Sequence, residues 1–310
     1  MRDATGGESM REGGDFFIDT EPVPDAERPG RYRCTLGDDW RAFYLFGGAT
    51  LAATVRAASA HVDRAELQPV GLHAVYLRPV EPGPLVIDVE TLRAARNVHQ
   101  LAATLRRRDG DLAVRMQGTW GSHEPDVVTG LGVRCPDVPG PDDPAVRPSI
   151  PSPQFGHLPI NARFEERHCP GSGVPGAFVD PDLEARSMVW TRLAGGHDGH
   201  ANAFDAALLA LYADRVPGPH LGPTIVGHPT IHVPPRVIVT LELALRIVGT
   251  PVTSWVLLEG SIAEAAGRYV TVRAHMWDED RRLVAFADQT ARFASTVVTA
   301  PEVGPMSDDR

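Results

Sequence analysis

The amino-acid sequence predicts an α+β fold built from two similar units, each a long helix followed by a meander of antiparallel strands. Two blocks of the chain share this pattern. In both blocks, strand-length segments alternate apolar and polar residues, as strands do when one face of a sheet is buried. In both, a tight polar turn precedes the last strand, RRDGD in one and DEDRR in the other, which suits a hairpin. A unit of this kind buries its helix against one face of the sheet.

The predicted elements follow the same order in each block. The first block begins with a helix rich in small residues, GGATLAATVRAASAHV, at 47–62. Its predicted strands lie at 71–80, 84–93, 98–107 and 112–120. The second block begins with a helix at 204–216 and continues with strands at 236–248, 253–262, 268–278 and 282–293.

Segments poor in apolar residues divide the chain into domains. Residues 1–27 and 298–310 are polar, and we expect both to be flexible tails. Residues 123–157 contain repeated prolines, which forbid long regular structure, so this segment is predicted to be a linker. The two ordered domains are accordingly expected at 28–122 and 158–297.

The composition argues against several classes of protein. A formal net charge of -10 argues against nucleic acid as the main partner. The chain has no apolar run of about 18 residues and no signal-peptide core, so we expect a cytoplasmic protein without a membrane partner. The three cysteines are far apart, which suggests neither a disulfide framework nor a zinc knuckle. The G-x-S-x-G elbow of serine hydrolases and the G-x-x-x-x-G-K-[ST] phosphate loop are also absent from the sequence.

The second block has polar side chains at three positions where the first block has glycine or leucine. The alignments behind this comparison are LFGGA with AFDAA, YLRP with ALRI, and DLAVRMQGT with RLVAFADQT. The matched pairs are Asp205 with Gly47, Thr240 with Leu72, and Gln289 with Gly118. A duplicated fold would show such a difference if only one half had kept a polar site.

Asp205 is an acid in the otherwise apolar helix AFDAALLALYA. Because residues i, i+3, i+4 and i+7 share a helix face, Asp205 is expected on one stripe with Leu208, Leu209 and Tyr212. One interpretation is a helix cap that interacts with the helix dipole. The other is a carboxylate in a partly dry groove, where burial raises the pKa so that the group acts as a general base on water.

The stretch FGGATLAATVRAA, followed by LHAVYLRPV and DVETLR, resembles the first half of the acyl-CoA thioesterase II family. The resemblance extends over about 30–122 and 158–295. It implies a double hotdog: two hotdog repeats, each a long helix wrapped by an antiparallel sheet, joined into one extended sheet. It also implies a homodimer or larger homo-oligomer that hydrolyses acyl-CoA to free acid and coenzyme A without a metal or organic cofactor.

The resemblance assigns roles to the three polar residues of the second block. In this family an Asp on the second helix, with a Thr and a Gln on second-half strands, holds the water that attacks the thioester. Those roles fall on Asp205 as the base and on Thr240 and Gln289 as the groups that orient the water. The residues expected to bind the acyl thioester are Gly47, Gly48, Leu208, Leu209 and Tyr212.

Three alternatives remain open at the level of the sequence. A metal site is conceivable because potential ligands crowd two loop segments, at His197, Asp198, His200, His228 and His232, but none has the helical spacing of H-E-x-x-H. The substrate is alternatively an acyl thioester on a carrier, in a secondary-metabolite pathway. A non-catalytic acyl-thioester binding protein is favoured if Asp205 is a solvent-facing cap.

Overall fold

The computed structural model describes residues 14–122, 132–150, 155–172, 186–195, 205–227 and 237–294. Its dominant feature is one 13-stranded sheet, in which every pair of neighbouring strands is antiparallel. None of the helices in these ranges is long and apolar enough to cross a bilayer.

The strands of the first half are β1 (Val23–Pro24), β2 (Arg31–Leu36), β3 (Leu67–Tyr76), β4 (Gly83–Ala94), β5 (Val98–Arg106) and β6 (Leu112–Ser122). Those of the second half are β7 (Arg147–Pro148), β8 (Phe164–His168), β9 (Arg186–Leu193), β10 (Val237–Ile247), β11 (Val256–Ala266), β12 (Tyr269–Trp277) and β13 (Leu283–Ala294). The α-helices are α1 (Phe16–Asp19), α2 (Gly47–Val62), α3 (Ala207–Ala213) and α4 (Gly222–Gly227). Short 3-10 turns occupy Asp38–Trp40 and Pro159–Arg163, and a π-helical turn occupies Val216–His220.

The two halves of the sheet have the same internal order. Across the sheet the strands run β1-β2-β4-β5-β6-β3-β10-β13-β12-β11-β9-β8-β7. The order β2-β4-β5-β6-β3 in one half therefore matches β9-β11-β12-β13-β10 in the other, with a helix after the first strand of each set. Strands β3 and β10 join the halves at the centre, where Leu72 pairs with Leu245.

Helix α2 coincides with the helix predicted at 47–62. Its alanines and other small residues are buried nearly all round, which lets the helix lie close against β2 to β6. It ends at Asp63, which adopts a left-handed conformation with φ 48°. The second helical segment is less regular. Because Pro217 and Pro219 lack the amide hydrogen that an α-helix needs, the chain after α3 widens into the π-helical turn before α4.

The apolar core is continuous across both halves. One cluster extends from Phe16 to Ala291 and contains α2, α3 and the inner faces of most strands. A smaller cluster around Trp190, Trp255 and Trp277 is covered by Cys135 and Val138 of the predicted linker.

The structure differs from the sequence prediction at both boundaries of the first domain. Residues 14–27 were expected in a flexible tail, yet they contain α1 and β1, and Phe16 is buried with its ring centroid 6.1 Å from that of Trp40. The described part of the predicted linker follows the sheet edge, where β7 pairs with β8. Trp190 Nε1 also donates a hydrogen bond to the carbonyl of Pro139 at 2.9 Å.

Candidate active site

Asp205 lies at the start of α3, away from the other two predicted catalytic residues. Its Oδ1 accepts a hydrogen bond from the Ala207 amide at 2.8 Å. Its Oδ2 lies 2.9 Å from Nε of Arg56 on α2. Asp205 therefore binds the first amide of α3 and forms an ion pair with Arg56. The expectation that Asp205 shares a site with Thr240 and Gln289 is corrected by these contacts.

The carboxylate that meets Thr240 is Asp214, which directly follows α3. Thr240 on β10 donates its hydroxyl hydrogen to Asp214 Oδ1 at 2.7 Å. The Gly48 amide, at the start of α2, donates to Asp214 Oδ2 at 2.8 Å. The Asp214 residue is only 7% exposed. The end of α3, the start of α2 and strand β10 thus converge on one buried carboxylate.

Gln289 on β13 reaches the same end of α3. Its Nε2 donates to the carbonyl of Ala213, the residue before Asp214, at 2.8 Å. Because this amide nitrogen faces a carbonyl, Oε1 is left as an acceptor, and it is buried without a partner among the described residues. An unpaired buried polar atom costs about 1–3 kcal/mol. An acceptor next to the end of α3 can receive a hydrogen bond from a water or a substrate.

The environment of Asp214 shifts its pKa toward neutral pH. Burial raises the pKa of Asp214 to about 6, and the hydrogen bonds from Thr240 and Gly48, with the charge of Arg215, limit that rise. The carboxylate is therefore mostly ionised at neutral pH while its pKa stays close enough to accept a proton from water. Because the pKa is higher in the folded state, this group favours folding most below about pH 4 and loses that contribution as the pH rises through 6.

Arg215, the next residue, anchors this corner through a buried ion-pair cluster. Its Nε and Nη2 each lie 2.9 Å from an oxygen of Glu166 on β8. His220 Nε2 lies 2.9 Å from the same carboxylate. The Arg215 guanidinium also stacks over the ring of Phe164, with 4.4 Å to the centroid. The cluster ties the helical segment that carries Asp214 to strand β8.

Gly47 and Gly48 allow α2 to begin directly against Asp214. A Cβ on Gly48 would lie 2.7 Å from the carbonyl oxygen of Leu211 and 2.8 Å from the ring of Phe46. A Cβ on Gly47 would lie 2.8 Å from Asp214 Oδ2. None of these distances leaves room for a side chain at Gly47 or Gly48. The Gly48 amide holds the carboxylate, whereas the Gly47 amide has no hydrogen-bond partner within the described residues.

Gly48→Ala is expected to destabilise the fold by about 1–3 kcal/mol, because the Leu211 carbonyl belongs to α3 and moves only with that helix. Thermal unfolding of Gly48→Ala and of Gly37→Ala measures this effect. A Cβ on Gly37 would have no atom of the described residues within 4 Å, so this variant should melt like the wild type. Equal melting of all three proteins would show that the close approach at Gly48 is not required.

The strand register corrects one of the three repeat matches. Strands β10 and β3 each shift register at a bulge, next to Thr240 in β10 and next to Pro69 in β3. Alignment of the two bulges places Thr240 opposite Pro69 instead of Leu72. Gln289 keeps its match with Gly118. The β10 residue that pairs with Gln289 and the β3 residue that pairs with Gly118 each lie two positions beyond the bulge of their strand.

Asp214 was missed because LFGGA was aligned with AFDAA, which placed Asp205 at the helix start. The segment LYADR at 211–215 also begins with leucine and an aromatic residue. Its alignment with LFGGA places Asp214 opposite Gly48, the residue whose amide binds it. That second alignment is the signal in the sequence that points to Asp214.

The other predicted site residues are only partly placed. Leu208, Leu209 and Tyr212 are fully buried in the core cluster, and their contact with an acyl chain stays a prediction. The candidate metal ligands lie outside the described residues, at His197, Asp198, His200, His228 and His232. Within the described ranges, no three His, Cys, Asp or Glu side chains are grouped as metal ligands would be.

The chain belongs to the acyl-CoA thioesterase family. Residues 36–121 match the acyl-CoA thioesterase N-terminal domain, and residues 134–293 match the acyl-CoA thioesterase C-terminal domain. The sequence resemblance to this family is thereby confirmed. Among curated proteins, no sequence relative was found.

Solved structures from three bacteria share the fold. A conserved protein of unknown function with a hot dog fold from Alicyclobacillus acidocaldarius has 22% identity and a TM-score of 0.73, covering 91% of this chain and 98% of that one. A candidate thioesterase II from Thermobifida fusca YX has 21% identity and a TM-score of 0.74, with the same coverage of 91% and 98%. The acyl-CoA thioesterase II TesB2 from Mycobacterium marinum has 17% identity and a TM-score of 0.67, covering 92% and 99%. The hotdog fold expected from the sequence is therefore confirmed.

Proposed function

We propose that this protein is a double-hotdog thioesterase that hydrolyses acyl-CoA to a free carboxylic acid and coenzyme A, with Asp214 as the general base. The observation that carries the proposal is the buried Asp214 carboxylate, held by Thr240 and Gly48 where the two helices meet. Membership of the acyl-CoA thioesterase family supports the substrate class. The matching strand orders of the two halves support two hotdog repeats joined at β3 and β10.

In the proposed reaction, a water molecule lies between Asp214 and Gln289. One hydrogen of this water is donated to Asp214 and the other to the free Oε1 of Gln289, so a lone pair of the oxygen faces the thioester carbonyl. As the water oxygen bonds to the carbonyl carbon, its proton moves to Asp214. The unpaired Gly47 amide at the helix start stabilises the negative charge on the carbonyl oxygen.

Collapse of the tetrahedral intermediate completes the reaction. The carbon–sulfur bond breaks, and coenzyme A leaves as a thiolate that takes up the proton held by Asp214. This step releases the carboxylic acid and returns Asp214 to its ionised form. No group other than water and the thioester is consumed, so this mechanism requires no cofactor.

Thr240 has two roles in this mechanism. Its hydroxyl hydrogen bond at 2.7 Å fixes the orientation of the carboxylate. The same bond stabilises the ionised form and thereby lowers the pKa of Asp214 against the effect of burial. Thr240 therefore sets the pH range in which Asp214 is available as a base.

The pH dependence of thiol release tests the proposal. We expect kcat/KM of the wild type to fall below pH 6, because protonation of Asp214 removes the base. In Thr240→Val the Asp214 pKa should rise, so the fall should begin at a higher pH. The measurement is free-thiol release from short, medium and long acyl-CoAs across the pH range. An acid limb at the same pH in both proteins would contradict the role given to Thr240.

Two alternatives would show themselves in the same assay. A carrier-bound acyl thioester presents the same phosphopantetheine arm, and it becomes the better assignment if carrier thioesters are cleaved and acyl-CoAs are not. A non-catalytic binding protein was favoured if Asp205 were a solvent-facing cap, but the Asp205 carboxylate is partly buried and paired with Arg56. Asp214 supplies the buried carboxylate that this interpretation lacks, so catalysis is the function that the site supports best.

A further inference from the structure

Tyr76, the last residue of β3, contributes an unused hydroxyl group to the candidate site. The residue as a whole is partly exposed, but the hydroxyl oxygen is buried and has no hydrogen-bond partner among the described residues. A buried phenol usually finds a partner, and one without a partner costs about 1–3 kcal/mol. The hydroxyl is therefore able to donate a hydrogen bond to a molecule that binds beside it.

The Tyr76 ring lies against the start of α2. Its Cε1 and Cζ atoms lie 3.1 Å and 3.5 Å from the position that a Cβ of Gly47 would take. Asp214 Oδ2 lies 2.8 Å from the same position. Tyr76 and the proposed base thus flank one point, directly beside the residue whose amide is free.

Asp214 does not serve as the partner of the phenol. The hydrogen bonds that Asp214 accepts come from Thr240 and from the Gly48 amide, and the Tyr76 hydroxyl oxygen has no partner among the described residues. The Tyr76 hydroxyl remains a donor, because burial and the nearby negative charge of Asp214 hold its pKa well above the ordinary value for tyrosine. A protonated phenol next to a carboxylate is suited to bind an oxygen on which negative charge develops.

The geometry points to Tyr76 as a further catalytic residue, whose hydroxyl donates a hydrogen bond to the carbonyl oxygen of the thioester substrate. With the Gly47 amide it forms a two-donor site for the oxyanion of the tetrahedral intermediate. This inference rests on the proposed thioesterase function. Both halves of the chain then contribute to the site. The first half supplies Gly47 and Tyr76, and the second half supplies Asp214, Thr240 and Gln289.

Tyr76→Phe tests this role in the full-length protein. The loss of one oxyanion donor should lower kcat by about 10²–10³-fold with little change in KM. The melting temperature should be unchanged or slightly higher, because the variant removes a buried hydroxyl that had no partner. Tyr269→Phe is the control, since Tyr269 on β12 is 52% exposed and is not one of the residues of the proposed site. Full activity of Tyr76→Phe beside an inactive Asp214→Asn would overturn the inference and leave the proposed function standing.

Thioesters with different leaving groups distinguish two roles for Tyr76: a hydrogen bond to the carbonyl oxygen, or proton donation to the departing thiolate. An acidic aryl thiol needs no proton donor, whereas the carbonyl oxygen develops charge with any thiol. Tyr76→Phe should therefore lose the same factor with acyl-CoA and with an acyl aryl thioester. Recovery of activity with the aryl thioester would assign Tyr76 to the leaving group and overturn the oxyanion assignment.

A measurement without turnover separates this inference from the function itself. Acyl-CoA labelled at the carbonyl carbon is bound to Asp214→Asn and to Asp214→Asn with Tyr76→Phe. NMR then reports the polarisation of the carbonyl, which should shift downfield on the first variant and move back on the second. Equal shifts on both variants would overturn the role of Tyr76, even if the wild type released no thiol.

Discussion

Asp214→Asn is expected to lower kcat for thiol release by about 10²–10⁴-fold, the usual contribution of a general base. The amide of asparagine has nearly the shape of the carboxylate and can still accept a hydrogen bond from Thr240 or Gly48. It cannot take a proton from water near neutral pH. The comparison is made by stopped-flow or steady-state thiol release from the best acyl-CoA at pH 8, where the wild-type base is ionised.

Asp205→Asn is the matched control for this experiment. Asparagine caps a helix about as well as aspartate, and the lost ion pair to the partly exposed Arg56 should cost less than about 1 kcal/mol. Its kcat should stay within a few fold of the wild type. The opposite result, with Asp205→Asn inactive and Asp214→Asn active, would return the base to Asp205 and contradict the site described above.

Glu166→Gln is expected to destabilise the protein by about 3–5 kcal/mol, because it leaves the buried Arg215 guanidinium without its counter-charge. Arg215 is 3% and His220 1% exposed, so water cannot replace the carboxylate. Burial alone would raise the pKa of Glu166, but the charges of Arg215 and His220 outweigh it and hold the pKa well below its usual range. The cluster therefore stabilises the fold above about pH 4.5, and that stabilisation is lost as the pH falls through the lowered pKa.

Urea unfolding of Glu166→Gln and Glu165→Gln measures this effect. Glu165 is the neighbour of Glu166 on β8, and it forms its ion pairs with Arg192 and Arg167 in a partly exposed position. Its variant should lose less than about 1 kcal/mol. Similar midpoints for the two variants would show that the buried cluster does not fix the segment that carries Asp214.

The elements with a clear sequence pattern were predictable. Helix α2 follows from its run of small residues, and β4, β5, β6 and β10 to β13 follow from the alternation of apolar and polar residues. Strand β8 reads FEERH and shows no such alternation. Its charged residue Glu166 has a nearly buried side chain, which is paired with Arg215. The burial of Glu166 depends on a partner about fifty positions away in the chain, so its neighbours in sequence do not predict it.

The candidate site was predictable in its residue types more than in its positions. Thr240 and Gln289 both contact the end of α3, since strand residues keep their place once the register is set. The acid was assigned to Asp205 because a carboxylate on an apolar helix stripe stands out in sequence. Which acid on that segment meets Thr240 depends on where α2 contacts α3, and that contact is made through Gly48 and Leu211.

In the proposed mechanism, Asp214 activates a water molecule instead of attacking the thioester itself. A single turnover in water labelled with heavy oxygen, with enzyme in excess over acyl-CoA, tests it directly. Attack by water should place one labelled oxygen in the released carboxylic acid and none in the peptide that contains Asp214. Label in the Asp214 side chain, with unlabelled acid released, would show an acyl-enzyme anhydride and contradict attack by water.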